Sequence, residues 1–319
     1  DVTVYPKNLT GIPSLEKTLR EAKADTGKTD DYAHTGTASA GDTIDYQIVS
    51  TLPSITSKAT YLSCYTFIDT LSAGLTYTKG DVVLGIFSDT ACKNAVTTWK
   101  ETDGYFTVSY NDADGKTAMT VEMTAKGLAE INKSKAVYTD TSMVNSGYSD
   151  CTMRLTYTAK VDSDNSLVVG DKGNDNKVVL AWKRTSETFY DTLVDDAHIY
   201  TYGIDLTKLF SDGKGDFSKI EFLVQNKTDN YYVQAKLNQD EGVYYVTGHT
   251  PNKEDATHFV PVKTGDTKGR ILIKGLEDDT YTMTEVRTDN GYVLLKQDIE
   301  VVISQKESAD SCTVYASDT

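Results

Sequence analysis

Apolar and polar residues alternate with a period of two along several segments of the chain. In Thr43–Val49 (TIDYQIV), Ile44, Tyr46 and Ile48 share one face, with Asp45 and Gln47 opposite. Met119, Val121 and Met123 alternate in TAMTVEMT, and Met153, Leu155, Tyr157 and Ala159 do so in TMRLTYTA. Successive side chains of a strand point to opposite faces, so this pattern predicts half-buried β-strands. Turn-rich stretches such as NDADG (111–115) and DSDN (162–165) lie between them. Helical spacing is brief: Leu128 and Ile131 in MTAKGLAEINKS, which predicts a short helix, and Leu15 and Leu19 in SLEKTLREA. The reading is all-β, a β-sandwich architecture with minor short helices.

A seam is expected near residues 194–198. Before it, GNDNKVVLAWK (173–183) reads as a final strand, followed by the polar stretch RTSETFYDTLVDDA. After it, HIYTYGIDLTKLF opens a new set comprising IEFLVQ, YYVQAKL, VYYVTG, RILIKGL, TYTMTEV, DIEVVIS and TVYAS. Two tandem domains are therefore expected, 1–196 and 197–319, as suits a chain of 319 residues.

Composition agrees. Tyr occurs 21 times and Pro only 5, and 39% hydrophobic residues are enough for packed cores. A net charge of −15 disfavours nucleic acid and anionic lipid as partners. No segment has the length of apolar sequence that a membrane-spanning helix requires. Asp1 opens directly into the strand-like DVTVYP, so the sequence reads as a trimmed or processed piece without a signal peptide.

Signatures of turnover catalysis are absent. His34, His198, His249 and His258 form no HExxH and no close metal pair, and neither a GxSxG elbow nor a phosphate-binding loop occurs. No metal or cofactor is expected. The pair Asp278–Asp279 reads as a solvated turn, and NDADG lacks the downstream glutamate of a calcium loop. Cys64, Cys92, Cys151 and Cys312 show no CxxC spacing, and composition leaves disulfides and buried free thiols both open.

Separated motifs carry a resemblance. DVTVYPKN places Lys7 directly after Pro6 and resembles the pilin motif of Gram-positive sortase-assembled backbone pilins. SLEKTL (14–19), SAGDTIDYQI (39–48), FIDTLSAGLTY (67–77) and NKVVLAW (176–182) resemble the middle domain of such pilins, which implies a variant immunoglobulin-like sandwich related to the collagen-adhesin A-type module. YGIDLTKLF (202–210) and GRILIKGLEDDTYTMTEVRTDNGYVLL (269–295) resemble a collagen-adhesin B-type domain, with Tyr281 and Glu285 as its E box.

The resemblance implies a structural shaft subunit of an extracellular, cell-wall-anchored pilus, not an enzyme. Its partners would be identical subunits and a pilin-specific sortase acting at Lys7, together with tip or basal pilins and host ligands. An extracellular site would tilt the cysteines toward disulfides. The signal peptide, a further N-terminal domain and the sorting signal of a full pilin are not in this sequence. The alternative function is a non-polymerising adhesin stalk or ligand-binding module.

Pilin domains of this kind carry autocatalytic Lys–Asn isopeptide bonds. Matching motifs assigns Lys17 as nucleophile, Asn176 as acceptor and Asp69 as assisting acid in the first domain, with Lys23 and Asn174 as competing choices. In the second domain Lys208 and Glu285 take the nucleophile and acid positions. The acceptor is expected beyond Thr319, since Asn290 stands too near the E box, with Asp318 a conceivable substitute. Each set reacts once, in a single turnover.

Overall fold

The computed structural model describes residues 11–26, 30–56, 58–133, 137–139, 142–144 and 147–304. In chain order the elements begin β1 (Glu16–Glu21), α1 (Lys23–Thr26), β2 (Thr35–Thr37), β3 (Thr43–Thr51) and β4 (Leu62–Leu71). They continue β5 (Leu75–Tyr77), β6 (Val83–Phe87), β7 (Ala95–Lys100), β8 (Phe106–Ala113) and β9 (Lys116–Met123). Then come α2 (Ala125–Ile131), β10 (Val137–Thr139), β11 (Ser142–Val144), β12 (Thr152–Val161), β13 (Asn174–Arg184) and β14 (Asp191–Tyr200). The remainder is β15 (Tyr202–Thr207), β16 (Glu221–Asn226), β17 (Tyr231–Asn238), β18 (Val243–Thr250), β19 (Arg270–Leu276), β20 (Thr280–Arg287) and β21 (Ile299–Val302).

The first part packs two sheets face to face. One has the order β1-β3-β12-β6-β7, with β5 also paired to β12, and the other runs β2-β14-β13-β4-β9-β8. The strict alternation of β3 becomes alternating burial, and Ile44, Tyr46 and Ile48 are fully enclosed. Facing them from the second sheet are Phe67, Leu71, Val178 and Leu180. Burial of such side chains contributes about 1.5–3 kcal/mol each and accounts for most of the stability of the sandwich. The short helix expected at MTAKGLAEINKS is α2, capped by the Thr124 side chain accepting from the Gly127 amide at 3.1 Å. Of NDADG, residues 111–113 end β8 and only Asp114 and Gly115, both at positive φ, form the tight hairpin turn to β9.

SLEKTLREA forms an edge strand, not a helix: Lys17 pairs with Ile48 and Leu19 with Tyr46. The polar stretch after Arg184 is also partly strand. β14 runs through the expected seam at 194–198, pairing Asn176 with Ala197 and Trp182 with Asp191. Its sequence hides the strand because its first part lies open to solvent, leaving only Ala197 and Ile199 buried on its inward face. The sheet changes at Thr201. From Tyr202 onward seven strands form one sheet in the order β15-β19-β18-β17-β16-β20-β21, enclosing Phe222, Val233, Phe259, Ile273, Tyr281 and Met283.

The joint is close. The Ala40 amide donates to the Gly275 carbonyl at 3.0 Å, and Gly170 donates to Thr201 at 2.8 Å. Gly41 and Gly275 both have positive φ, and a Cβ at either would lie 2.5 Å from Thr247 O or the Ala40 Cβ, respectively. Only glycine permits that backbone approach.

Cys64, Cys92 and Cys151 are free thiols. The expected tilt toward disulfides is not met among the described residues. Cys312, Lys7 and Asp318 lie outside them.

Candidate functional site

Three strands bring Lys17, Asp69 and Asn176 together between the two sheets, and none of the three is exposed. Lys17 enters from edge strand β1 of the first sheet. Asp69 on β4 and Asn176 on β13 come from the second, where Asn176 pairs with Leu71 and Val178 with Asp69. That register puts Asp69 and Asn176 on one face as diagonal neighbours, both turned toward the opposing sheet. The Lys17 backbone is tied across the sandwich as well, its amide donating to Asp195 Oδ2 at 2.6 Å.

The Lys17 ammonium forms a short ion pair with Asp69 Oδ2 and donates to the Tyr157 hydroxyl at 2.5 Å. Asn176 Nδ2 donates to the same hydroxyl at 2.9 Å, so the amine and the amide nitrogen meet on one oxygen. Tyr77 donates to Asp69 Oδ1 at 2.6 Å. Tyr46 and Tyr157 stack with centroids 5.4 Å apart, and the Lys17 amine lies 5.0 Å and 5.2 Å from their ring centroids.

Burial pushes the Lys17 pKa down, and the Asp69 carboxylate opposes it. Loss of a proton from Lys17 to Asp69 yields a neutral amine, a nucleophile held beside a primary amide. Asn176 Oδ1 is buried without a hydrogen-bond partner. That carbonyl oxygen is where negative charge would develop if Cγ were attacked. The competing choices stand elsewhere: Lys23 is exposed on α1, and the Asn174 side chain closes a turn by bonding both the Val168 amide and its carbonyl.

Residues 203–317 match the family model described as SpaA, prealbumin-like fold domain. Among solved structures, the 35 kDa C-terminal fragment of the major pilin GBS80 of Streptococcus agalactiae is similar, with a TM-score of 0.59, 18% identity and coverage of 92% of this chain and 91% of that one. Full-length RrgB, the major pilin of Streptococcus pneumoniae, gives a TM-score of 0.60 at 14% identity over 94% of this chain and 71% of that one. The Corynebacterium diphtheriae major pilin SpaA gives 0.58 at 14% identity over 92% and 66%. Curated protein sequences give no match. The fold is that of the Gram-positive backbone pilins.

In the second part of this pilin fold, Tyr281 and Glu285 stand four residues apart on β20, and both are buried. Lys208, just beyond β15, reaches Glu285 Oε1 at 2.9 Å, and the Leu295 amide donates to Oε2 at 2.9 Å. The expected nucleophile and acid of the second set are thus in contact. Asn290 is exposed, its amide bonded to Asp289.

Sequence reasoning did not single out Tyr46, Tyr77 or Tyr157 as part of the site. Their signal was the alternation itself, which put Tyr46 and Tyr157 on inward faces. It also passed over the joint, where Glu21 and Asp42 from the first part meet Glu277 from the second. Ser39 and Tyr231 both donate to Glu277 Oε1, at 3.3 Å and 2.6 Å. Beside it opens a cleft of about 290 Å³ whose lining includes Glu21, Asp30, Asp229, Glu277 and Asp279. No helix among the described residues is long and apolar enough to cross a membrane.

Proposed function

We propose that this chain is a shaft subunit of a covalently assembled surface pilus, built from two tandem domains that meet near Thr201. The first is locked by an isopeptide bond between Lys17 and Asn176. The observation that carries this reading is the enclosed set of Lys17, Asp69 and Asn176, with amine and amide sharing the Tyr157 hydroxyl. A solvent-free lysine beside a carboxylate and a primary amide supports autocatalytic ligation better than a purely structural ion pair does. An ion pair alone gives no reason to place an amide with an unpartnered carbonyl oxygen against the amine.

Ligation here relies on geometry. Holding amine and amide in contact replaces a bimolecular encounter and can lower the barrier by roughly 7–11 kcal/mol. Asp69 takes a proton from Lys17, and ammonia leaves. The structure of the Corynebacterium diphtheriae major pilin SpaA points, for that protein, to a modular pilus assembly and stabilizing isopeptide bonds. The shared fold favours the same organisation here. Identical subunits and a sortase acting at Lys7 are the partners this reading names, on an extracellular, cell-wall-anchored polymer.

Intact mass under denaturing conditions tests it. The wild-type chain is expected one ammonia lighter than its sequence, with Lys17→Ala and Asp69→Ala both at full mass. An unmodified wild type would sink the reading.

A further inference from the structure

We propose that the Tyr157 hydroxyl is a further catalytic group of the Lys17–Asn176 ligation, carrying a proton from the attacking amine to the departing nitrogen. This role rests on the proposed ligation and names how its proton traffic is routed. The hydroxyl lies within hydrogen-bond distance of both reacting nitrogens, Lys17 Nζ at 2.5 Å and Asn176 Nδ2 at 2.9 Å. It also interacts with the Asp69 carboxylate, so all three partners of the reaction converge on one oxygen.

Lys17 begins as an ammonium paired with the Asp69 carboxylate, and one proton moves to Asp69, leaving an amine and a carboxylic acid. The Nζ lone pair forms a bond to Asn176 Cγ, while the carbonyl π pair moves onto Oδ1. Nζ is now positively charged and Nδ2 is still a poor leaving group. Nζ gives a proton to the Tyr157 oxygen as Tyr157 gives its own to Nδ2. The Oδ1 pair then re-forms the carbonyl, the Cγ–Nδ2 bond breaks, and ammonia departs neutral. Tyr157 ends as it began, and Asp69 retains the proton it accepted.

Direct transfer from Nζ to Nδ2 would have to close a strained ring of nitrogen, carbon, nitrogen and hydrogen. The interposed hydroxyl widens that ring and lets both transfers run close to linear, as hydrogen bonds prefer. Burial and the neighbouring Asp69 raise the Tyr157 pKa well above that of a free phenol, which disfavours a free phenolate and couples the two transfers. The ring is also held in place. It stacks on Tyr46 at an interplanar angle of 10° and contacts Tyr77 at 5.8 Å between centroids. Removing only the hydroxyl therefore leaves the packing face intact.

The test follows mass against time for the full chain made by cell-free synthesis, comparing wild type, Tyr157→Phe, and a chain with fluorinated tyrosine at position 157. Circular dichroism confirms that each has folded. Tyr157→Phe is expected to lose ammonia about 10²-fold more slowly, the lower range for loss of a general acid–base group. The fluorinated residue keeps shape and hydroxyl but is a stronger acid and a weaker base, so its rate constant at a single pH is expected to differ from that of wild type; a packing role would leave that rate unmoved. Ammonia loss in Tyr157→Phe at the wild-type rate, or an unchanged rate with fluorotyrosine, overturns the relay and leaves the ligation standing. Full mass in wild type removes the ligation itself, and the relay with it.

Discussion

Lys17 and Asp69 form an ion pair with neither side chain open to solvent, although they belong to different sheets of the sandwich. β1 is an edge strand, yet its lysine points inward, between the rings of Tyr46 and Tyr157 and the β4 carboxylate. A buried charge pair is weak evidence for stability by itself, because desolvation offsets much of the Coulombic attraction. Such an arrangement makes chemical sense when the amine is consumed.

The bond should stabilise the first domain. Closing the chain from Lys17 to Asn176 restricts the unfolded ensemble by roughly 5 kcal/mol in the chain-entropy model. Asn176→Ala removes the acceptor but leaves the Lys17–Asp69 pair in place, so it isolates the cross-link better than a lysine substitution. Thermal unfolding and trypsin digestion of the two proteins should show a clearly lower midpoint and faster cleavage for Asn176→Ala. Equal midpoints would argue that no bond forms.

The second set should behave differently. Lys208→Ala is expected to leave the mass deficit at one ammonia, since no asparagine follows Asn290 in the sequence. Loss of water in addition to ammonia in wild type, abolished by both Lys208→Ala and Asp318→Ala, would identify Asp318 as an acceptor. Glu285→Ala strands the Leu295 amide and the Lys208 ammonium, and is expected to lower stability by roughly 2 kcal/mol in denaturant unfolding.

The joint should weaken as pH rises. Burial raises the Asp42 pKa to about 7, Glu277 to about 8 and Glu21 to about 10. Asp25, Asp229 and Asp279 add negative charge around them, and His249 also faces the cluster. Each folded-state pKa lies above its unfolded value near 4, so the folded state holds protons that the unfolded chain releases. Their contribution is full below about pH 4 and is lost progressively as pH rises through the folded-state values of about 7, 8 and 10. Thermal midpoints should fall over this range, and Glu277→Gln, a permanent neutral mimic, should flatten the fall. Asp289, held down to about 2 chiefly by Lys219, acts in the opposite sense but below this window. A profile unaffected by Glu277→Gln would contradict the assignment.

Lys7 should carry the intersubunit bond. The full-length subunit incubated with its cognate sortase is expected to give a high-molecular-weight ladder with wild type and none with Lys7→Ala or Lys7→Arg. A ladder from both variants would remove Lys7 and favour a non-polymerising stalk.

Period-two alternation marked strands such as β3, β9 and β12, because one face of each is buried and the alternation records that directly. Tyr46 on β3 and Tyr157 on β12 could be assigned inward faces from it. The NDADG turn and the α2 helix were legible for local reasons, positive φ at Asp114 and Gly115 and the Thr124 cap. Lys17, Asp69 and Asn176 were legible only through motif resemblance, since nothing local distinguishes a buried lysine from a solvated one. Local signals failed at β14, whose solvent-facing residues break the alternation. It took the packed fold to set the hydroxyl of Tyr157, 140 residues from Lys17 and 19 from Asn176 in sequence, between their nitrogens. Packing alone also brought Glu21, Asp42 and Glu277 into one desolvated cluster, because pKa shifts and proton paths depend on distances across sheets and joints that no linear spacing encodes.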